Sequence, residues 1–417
     1  MIYKSDMQEA LLRNVRYFIK WTIISLVMGI LCGIVGTGFG LGVAHSQRFF
    51  REHSFMLYLM PVSGILIVIV HKFFHQVGNK GTNMILESIS STEKIRFTTL
   101  PCIFISTLLS HIVGASAGKE GAALQIGGCI GNSIGEVFHL DERDLKVAIM
   151  SGMSGCFAAI FGTPLAAAMF GMEVISIGVN YYAALVPCVF SAFIGSYVSG
   201  KLGLHGEAFV IQHLPEFGAG PAIYMILLGL FGALVSIFFC TVLHESHHLY
   251  KEKISNIYVR IITAAFLFIG LALIFGRDYC GAGFNLVEEA IEGNVPYEAF
   301  LLKILFTAVA LGGGFKGGEI VPTLAIGATM GSAFGTFLGF EPSLCAACGM
   351  LALFVGVTNC PIATIFMGFE IFGFDAMPFF ALTVAVSFAF SGYYGLYSSQ
   401  RFTYSKTKTE FINIRAH

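Results

Sequence analysis

The sequence predicts an all-α polytopic membrane protein, an inverted repeat of tilted and broken transmembrane helices, on three observations. The 417-residue chain is 56% hydrophobic and only 12% charged, with a mean hydropathy of +0.78, more apolar surface than a water-soluble domain can cover. The glycine-rich stretch Gly114–Gly135, GASAGKEGAALQIGGCIGNSIG, returns two hundred residues later as Gly312–Gly335, GGGFKGGEIVPTLAIGATMGSAFG. Several apolar runs, such as Ile160–Met172 and Ala363–Phe372, are too short to cross a bilayer alone and are interrupted or preceded by Gly or Pro. In lipid, broken helices survive only where protein or water satisfies the loose backbone.

The elements follow in order. Residues 1–20 mix Arg13, Arg16 and Lys20 with Glu9 and read as an amphipathic cytosolic helix, not a cleaved leader. Residues 21–417 form the membrane domain. Its first span, Trp21–His45, has a counterpart in Pro221–His244, and an offset of 200 places Gly29 on Gly229, Phe39 on Phe239 and Ser46 on Ser246. The repeats run over about 22–203 and 222–395, with a short cytosolic tail at 398–417. Gly81–Ile89 matches Gly283–Ile291 as a pair of short helix starts after a glycine turn, and Pro164–Glu173 matches Pro361–Glu370. Charge sets the orientation: Lys251, Lys253, Arg260, Arg401, Lys406, Lys408 and Arg415 mark cytosolic segments, whereas His205–Phe217 has acids and no Lys or Arg. Both termini are therefore expected in the cytosol of a cell-membrane protein.

Composition also excludes. A net charge of −1 argues against a nucleic-acid partner. The ten cysteines sit in apolar segments, Cys345 and Cys348 included, and read as small hydrophobes. No cofactor or resident metal is expected, and the 49 glycines suit close helix packing in lipid.

Matched half-helices in two repeats are the pattern of transporters whose helix N-termini meet an anion near the membrane midplane. Each glycine turn carries a carboxylate, Glu120 in the first and Glu319 in the second. An ionisable group at such a place reads as functional, and its recurrence at both turns argues against a simple helix cap.

Taken together, these landmarks resemble the CLC family of chloride channels and proton-coupled anion antiporters over nearly the whole chain. Gly118-Lys-Glu-Gly-Ala122 resembles the family's G-[KR]-E-G-P motif, Gly318-Glu-Ile-Val-Pro322 its G-x-F-x-P motif, and Gly395-Leu-Tyr-Ser398 the stretch that carries its anion-coordinating tyrosine. The resemblance implies a homodimer in the lipid membrane, each subunit with its own pore for chloride or fluoride. It makes Glu120 the gating and proton-transfer carboxylate. It places Lys80, Gly81, Gly118, Lys119, Gly121, Glu319, Ile320 and Tyr397 around the anion, with Tyr397 supplying a hydroxyl and Gly121 and Ile320 backbone N–H groups.

Three departures from the family pattern bear on the ion. Where the family commonly shows G-S-G-I-P, the chain reads Asn79-Lys-Gly-Thr-Asn83, so Lys80, or Asn79 after a slip of one residue, falls in the serine's slot. Lys80 then either sits by the filter or extends to the water-filled vestibule. Glu319 stands where many chloride-selective members are apolar, and resembles the fluoride/proton branch. Chloride/proton antiporters usually carry two consecutive acids after the Pro164 half-helix, the second accepting the proton from inside; here Glu173 is followed by Val174. Glu173 and Glu370 are expected to bond backbone at half-helix ends.

One motif points elsewhere. His244-Glu-Ser-His-His248 satisfies H-E-x-x-H, a helical zinc-protease pattern, yet its repeat mate His45-Ser-Gln-Arg48 does not, and no third ligand is evident. These are expected to be surface histidines of a chain that is not an enzyme. The expected function is halide transport by proton-coupled antiport, leaning to fluoride, with a passive, voltage-gated-type chloride channel as the alternative.

Overall fold

The computed structural model describes residues 2–91 and 95–417, with side chains from residue 8 onward, so the charges of the first seven residues lie outside the described residues. Among these the chain forms sixteen α-helices, which the repeat divides eight and eight. The first half holds α1 (Ile2–Glu52), α2 (Met60–Phe73), α3 (Thr82–Ser90), α4 (Thr99–Ile112), α5 (Glu120–Val137), α6 (Glu142–Phe161), α7 (Pro164–Glu173) and α8 (Leu185–Lys201). The second holds α9 (Ala219–Lys253), α10 (Ile257–Phe275), α11 (Phe284–Ile291), α12 (Ala299–Gly313), α13 (Ile320–Leu338), α14 (Pro342–Thr358), α15 (Pro361–Phe372) and α16 (Met377–Phe390). Packing repeats as well: α1 lies on α8 as α9 lies on α16, and α5 on α6 as α13 on α14. Seven of the described helices are long and apolar enough to cross a membrane.

The repeated glycines explain the closest of these contacts. A Cβ on Gly327 would stand 2.6 Å from the Gly349 carbonyl oxygen, and one on Gly127 would collide with the Gly152 carbonyl. Both helix pairs thus touch backbone to backbone, which only the smallest residues allow. α6 and α13 are the most enclosed of the spanning helices.

The short helices α7 and α15 lie side by side, and each carries in its last turn a glutamate that caps the other. Glu173 accepts the Ile362 and Ala363 N–H groups at 3.2 and 3.0 Å, while Glu370 accepts those of Leu165 and Ala166 at 2.8 and 2.9 Å. The loose N-terminal N–H groups of two half-helices are satisfied by reciprocal carboxylates. The expectation for these two residues holds.

Two features differ from the expected all-α chain with a separate amphipathic start. α1 continues without a break past residue 20, because no Gly or Pro interrupts the sequence before Gly29, and Lys20 pairs with Asp144 at the start of α6. The fold is mostly helical but also contains a small sheet. β1 (Ser176–Ile177), β2 (Arg401–Tyr404) and β3 (Phe411–Arg415) run in the order β1-β2-β3, with β2 parallel to β1 and antiparallel to β3. Phe402 is fully buried beneath it. The tail is therefore folded back onto the chain just after α7. The ten cysteines are all free and buried, as their apolar settings imply.

Candidate functional site

The two glycine turns meet at the middle of the molecule. Gly118 N–H donates to Gly318 O at 2.6 Å and Gly318 N–H to Gly118 O at 2.7 Å, a two-residue antiparallel bridge. α5 starts two residues after Gly118 and α13 two residues after Gly318, so the bridge sets both helix starts side by side. Their first N–H groups have no intrahelical acceptor, and the dipole favours negative charge there. Glycine is required: a Cβ on Gly121 would lie 2.8 Å from Gly318 Cα.

Four side chains converge on this junction. Glu120, the first residue of α5, is fully buried; its Oε2 accepts the Lys119 N–H at 2.9 Å, whereas Oε1 has no protein partner. Glu319, half-buried, reaches across from the second turn, its Oε2 3.4 Å from where a Gly121 Cβ would be. Thr82 Oγ1 is 3.5 Å from the same point and 3.4 Å from Gly121 O. Tyr397 is buried with its hydroxyl unpartnered, and its loop is tied to α3, next to Thr82, through the Ser399 N–H and Asn83 Oδ1 at 2.9 Å. Two helix N-termini and one unpartnered hydroxyl are hydrogen-bond donors suited in chemistry to a small anion, with the carboxyls of Glu120 and Glu319 beside them.

The Tyr397 loop is pinned from several sides. Leu396 N–H donates to Val357 O at 2.9 Å, and Ser399 bonds α3 through its N–H to Asn83 Oδ1 (2.9 Å) and its Oγ to Glu87 Oε1 (3.0 Å). Gln400, fully buried, donates to Val174 O and Thr358 O at 2.9 and 2.7 Å and accepts from Asn359 Nδ2 at 3.1 Å. Strand β2 begins at the next residue, so the sheet anchors the tyrosine. Thr82, Ser399 and Gln400 carried no motif. The signal for Thr82 was its place as the first helical residue after Gly81, a glycine at φ +64°, but its repeat mate Phe284 is not polar and hid it.

Of the residues expected at the anion, Gly118, Gly121, Glu120, Glu319, Ile320 and Tyr397 are brought together here. Lys80 is not: it is exposed, with Nζ 2.6 Å from Glu87 Oε2. Asn79 Oδ1 instead accepts the Gly81 N–H at 2.7 Å, shaping the turn before α3. Of this stretch it is Thr82 whose side chain reaches the glycine turn, its Oγ1 3.4 Å from Gly121 O. Lys119 lies with its ammonium 5.6 Å from the Phe284 ring centroid at the start of α11. In the H-E-x-x-H stretch, His244 contacts the Leu396 carbonyl (3.4 Å) and His248 pairs with Glu252 (3.3 Å). Among the described residues no group of His, Cys, Asp and Glu could hold a metal ion.

A family model described as voltage gated chloride channel matches residues 62–392. The chain belongs to the CLC family. It is 32% identical to a chloride/fluoride channel protein of Pseudomonas syringae pv. tomato over 398 residues, 94% of this chain and 88% of that one. An H(+)/Cl(-) exchange transporter of Vibrio vulnificus is 27% identical over 83% of this chain and 81% of its own length. Among solved structures, a CLC-type fluoride/proton antiporter superposes with a TM-score of 0.88 at 30% identity, over 92% of this chain and 98% of that one. A slow cyanobacterial Cl−/H+ antiporter, 19% identical with a TM-score of 0.76 over 89% of this chain and 94% of its own, shares the fold. This is a multi-pass membrane protein of the CLC fold that serves anion transport and is not an enzyme.

Proposed function

We propose that this CLC protein exchanges fluoride for protons, favouring fluoride over chloride, with Glu120 as gate and proton carrier. The observation that carries this reading is Glu319, a carboxyl set against Gly121 where the anion would lie. A bare carboxylate 4 Å from an anion repels it by about 4 kcal/mol at an effective dielectric constant of about 20. A site containing one works when a proton is shared between carboxyl and ion. Fluoride, the stronger hydrogen-bond acceptor, gains more from that proton than chloride does. Ionised, Glu120 competes for the anion's place with its free oxygen; protonated, it releases the place, so the two ions alternate. Tyr397 donates its hydroxyl, and Gly121 and Ile320 their N–H groups. The fluoride and proton chemistry of the similar proteins supports the reading, as does Val174 in place of a second acid. That same valine also fits a passive chloride channel.

The positive segments described above favour cytosolic termini, and a homodimer with one pore per subunit fits the family. Anion efflux from liposomes, with external pH recorded in the same run, tests the function. Fluoride should leave much faster than chloride while protons move the other way, and Glu120→Gln should abolish both fluxes. Rapid chloride efflux without proton movement would overturn the proposal in favour of a channel.

A further inference from the structure

Between α8 and α9 the chain leaves the helical repeat and crosses the molecule as an irregular segment, residues 202–218. It is pinned along its length. Leu204 fills the space beside Gly40 of α1, its Cδ2 2.6 Å from where a Gly40 Cβ would stand, and Gly206 lies on the end of α6, where its own Cβ would be 2.6 Å from Phe161 O and 2.7 Å from Gly162 Cα. Phe209 N–H donates to Ile371 O and Gln212 N–H to Ser343 Oγ, both at 3.1 Å. From 206 to 211 the exposure alternates: Gly206, Ala208 and Val210 face water, while Glu207, Phe209 and Ile211 are turned in, the two-residue period of extended backbone. Phe209 and Ile211 pack on the apolar core. Glu207 shares their side, yet among the described residues it has no hydrogen bond or ion pair, and its oxygens keep access to water. A carboxylate turned inward without a partner, in a membrane protein, reads as functional.

Its level follows from the helix pairing. α5 and α6 run antiparallel with Gly127 against Gly152. Seven residues further along each, about 10 Å, Glu120 comes level with Ala159. Gly162 is three residues beyond, so Gly206 and Glu207 sit about one helical turn, roughly 5 Å, past the level of Glu120. α1 agrees: a Cβ on Gly36 would lie 3.1 Å from Ala159 Cβ, and Gly40, one turn on, meets Leu204. The charge of Glu207 acts on Glu120 across this gap. The segment lies at the end of α6 away from the Lys20–Asp144 pair, the outer side in the orientation proposed above. The neighbouring titratable groups are otherwise engaged or turned away. His205 and Glu216 are exposed, His213 pairs with Glu341 at 2.8 Å, Glu370 caps α7, and Lys119 turns to the Phe284 ring.

We propose that Glu207 is the outer proton relay, the carboxyl that hands protons between external water and Glu120. The proposal rests on the reading of Glu120 as proton carrier. An inward step begins when the Glu207 carboxylate takes a proton from external water. Its O–H bond then breaks, the proton passes through intervening water, and a new O–H bond forms on the Glu120 carboxylate. Glu207 returns to its ionised state, ready for the next proton; outward movement runs the same steps in reverse. Glu207 exchanges protons with the interior only through Glu120, so anion and proton stay coupled at the gate. A carboxyl suits this task because it takes up and gives back a proton without leaving its place.

The test uses purified protein in fluoride-loaded liposomes, with a fluoride electrode and a pH electrode in one chamber. Glu207→Gln should elute as wild type and bind fluoride within about twofold of wild type by calorimetry, yet its fluoride and proton fluxes should fall together at least about tenfold. Raising the external concentration of a sulfonate buffer should then restore the variant's fluoride flux, because the buffer takes over delivery to Glu120, and should leave wild type unchanged. Glu207→Asp should need no such rescue, and Glu216→Gln, on an exposed part of the same segment, should behave as wild type. Glu207→Ala gives the same reading should the glutamine variant fail to purify. Wild-type flux in Glu207→Gln or Glu207→Ala overturns the relay, and so does a slow flux that buffer does not raise, the mark of lost packing. Both results leave the antiport reading intact. Fluoride movement without protons in the wild type overturns both.

Discussion

Removing Glu173 should loosen the protein without moving its proton chemistry. Its carboxylate accepts two backbone N–H groups at the start of α15, at 3.2 and 3.0 Å, and its own residue is only 6% exposed, so water does not readily replace it. Hydrogen bonds to a charged group contribute about 1.5–3 kcal/mol each, so Glu173→Ala should cost about 3–6 kcal/mol. Glu173→Gln keeps one acceptor oxygen and should cost about half as much. Unfolding entropy of about 2.1 cal/mol/K per residue gives about 0.9 kcal/mol/K for this chain. The alanine variant should therefore melt about 3–7 °C lower in detergent, followed by heating and size-exclusion chromatography. Glu370→Ala, which uncaps α7, should fall by a similar amount. A Glu173→Ala melting point within about 1 °C of wild type refutes the cap. So does Glu173→Gln that melts like wild type but no longer moves protons, because the residue would then be a carrier.

Other expectations concern the anion site and its support. Tyr397→Phe should fold normally, since the hydroxyl has no protein partner, but bind fluoride about 10–100-fold more weakly by calorimetry; unchanged affinity would remove Tyr397 from the site. Gln400→Ala leaves the Val174 and Thr358 carbonyls and the Asn359 amide short of a bond, and should reduce both melting temperature and flux where Tyr397→Phe reduces affinity alone. Lys80→Ala should change the fluoride-to-chloride flux ratio less than about twofold, as an exposed pair with Glu87 is worth about 0–1 kcal/mol; a larger change would return Lys80 to the filter. Thr82→Val should alter that ratio and Thr82→Ser restore it, both read in the liposome assay.

Much of this architecture was legible because a duplicated membrane protein writes its fold twice. Gly118 and Gly318, or Pro164 and Pro361, are each ambiguous alone, but their recurrence in the same order at offsets of 200 and 197 aligned the halves and put both carboxyls in matched turns. The tail was not legible. Arg401 pairs with Ser176 in β1, far away in sequence, and nothing local in Arg401–Tyr404 distinguishes a strand from a polar end. Continuity of α1 was hidden by composition: a charged start followed by an apolar run suggests two elements, although the backbone has no reason to break. At the candidate site the motifs located both turns, yet the choice between Asn79 and Lys80 depended on a single-residue register, and Thr82 was not among the candidates. Only the left-handed Gly81 and the Asn79 bond to its N–H decide which side chain faces inward.

The Gly118–Gly318 bridge has a further meaning for how such a molecule acquires direction. Its two hydrogen bonds are nearly equal, 2.6 and 2.7 Å, and each joins one copy of the repeat to the other. At the bridge itself the copies differ, with Lys119-Glu120 following Gly118 in one turn and Glu319-Ile320 following Gly318 in the other. The asymmetry of the pore therefore begins at the two residues that follow each bridging glycine.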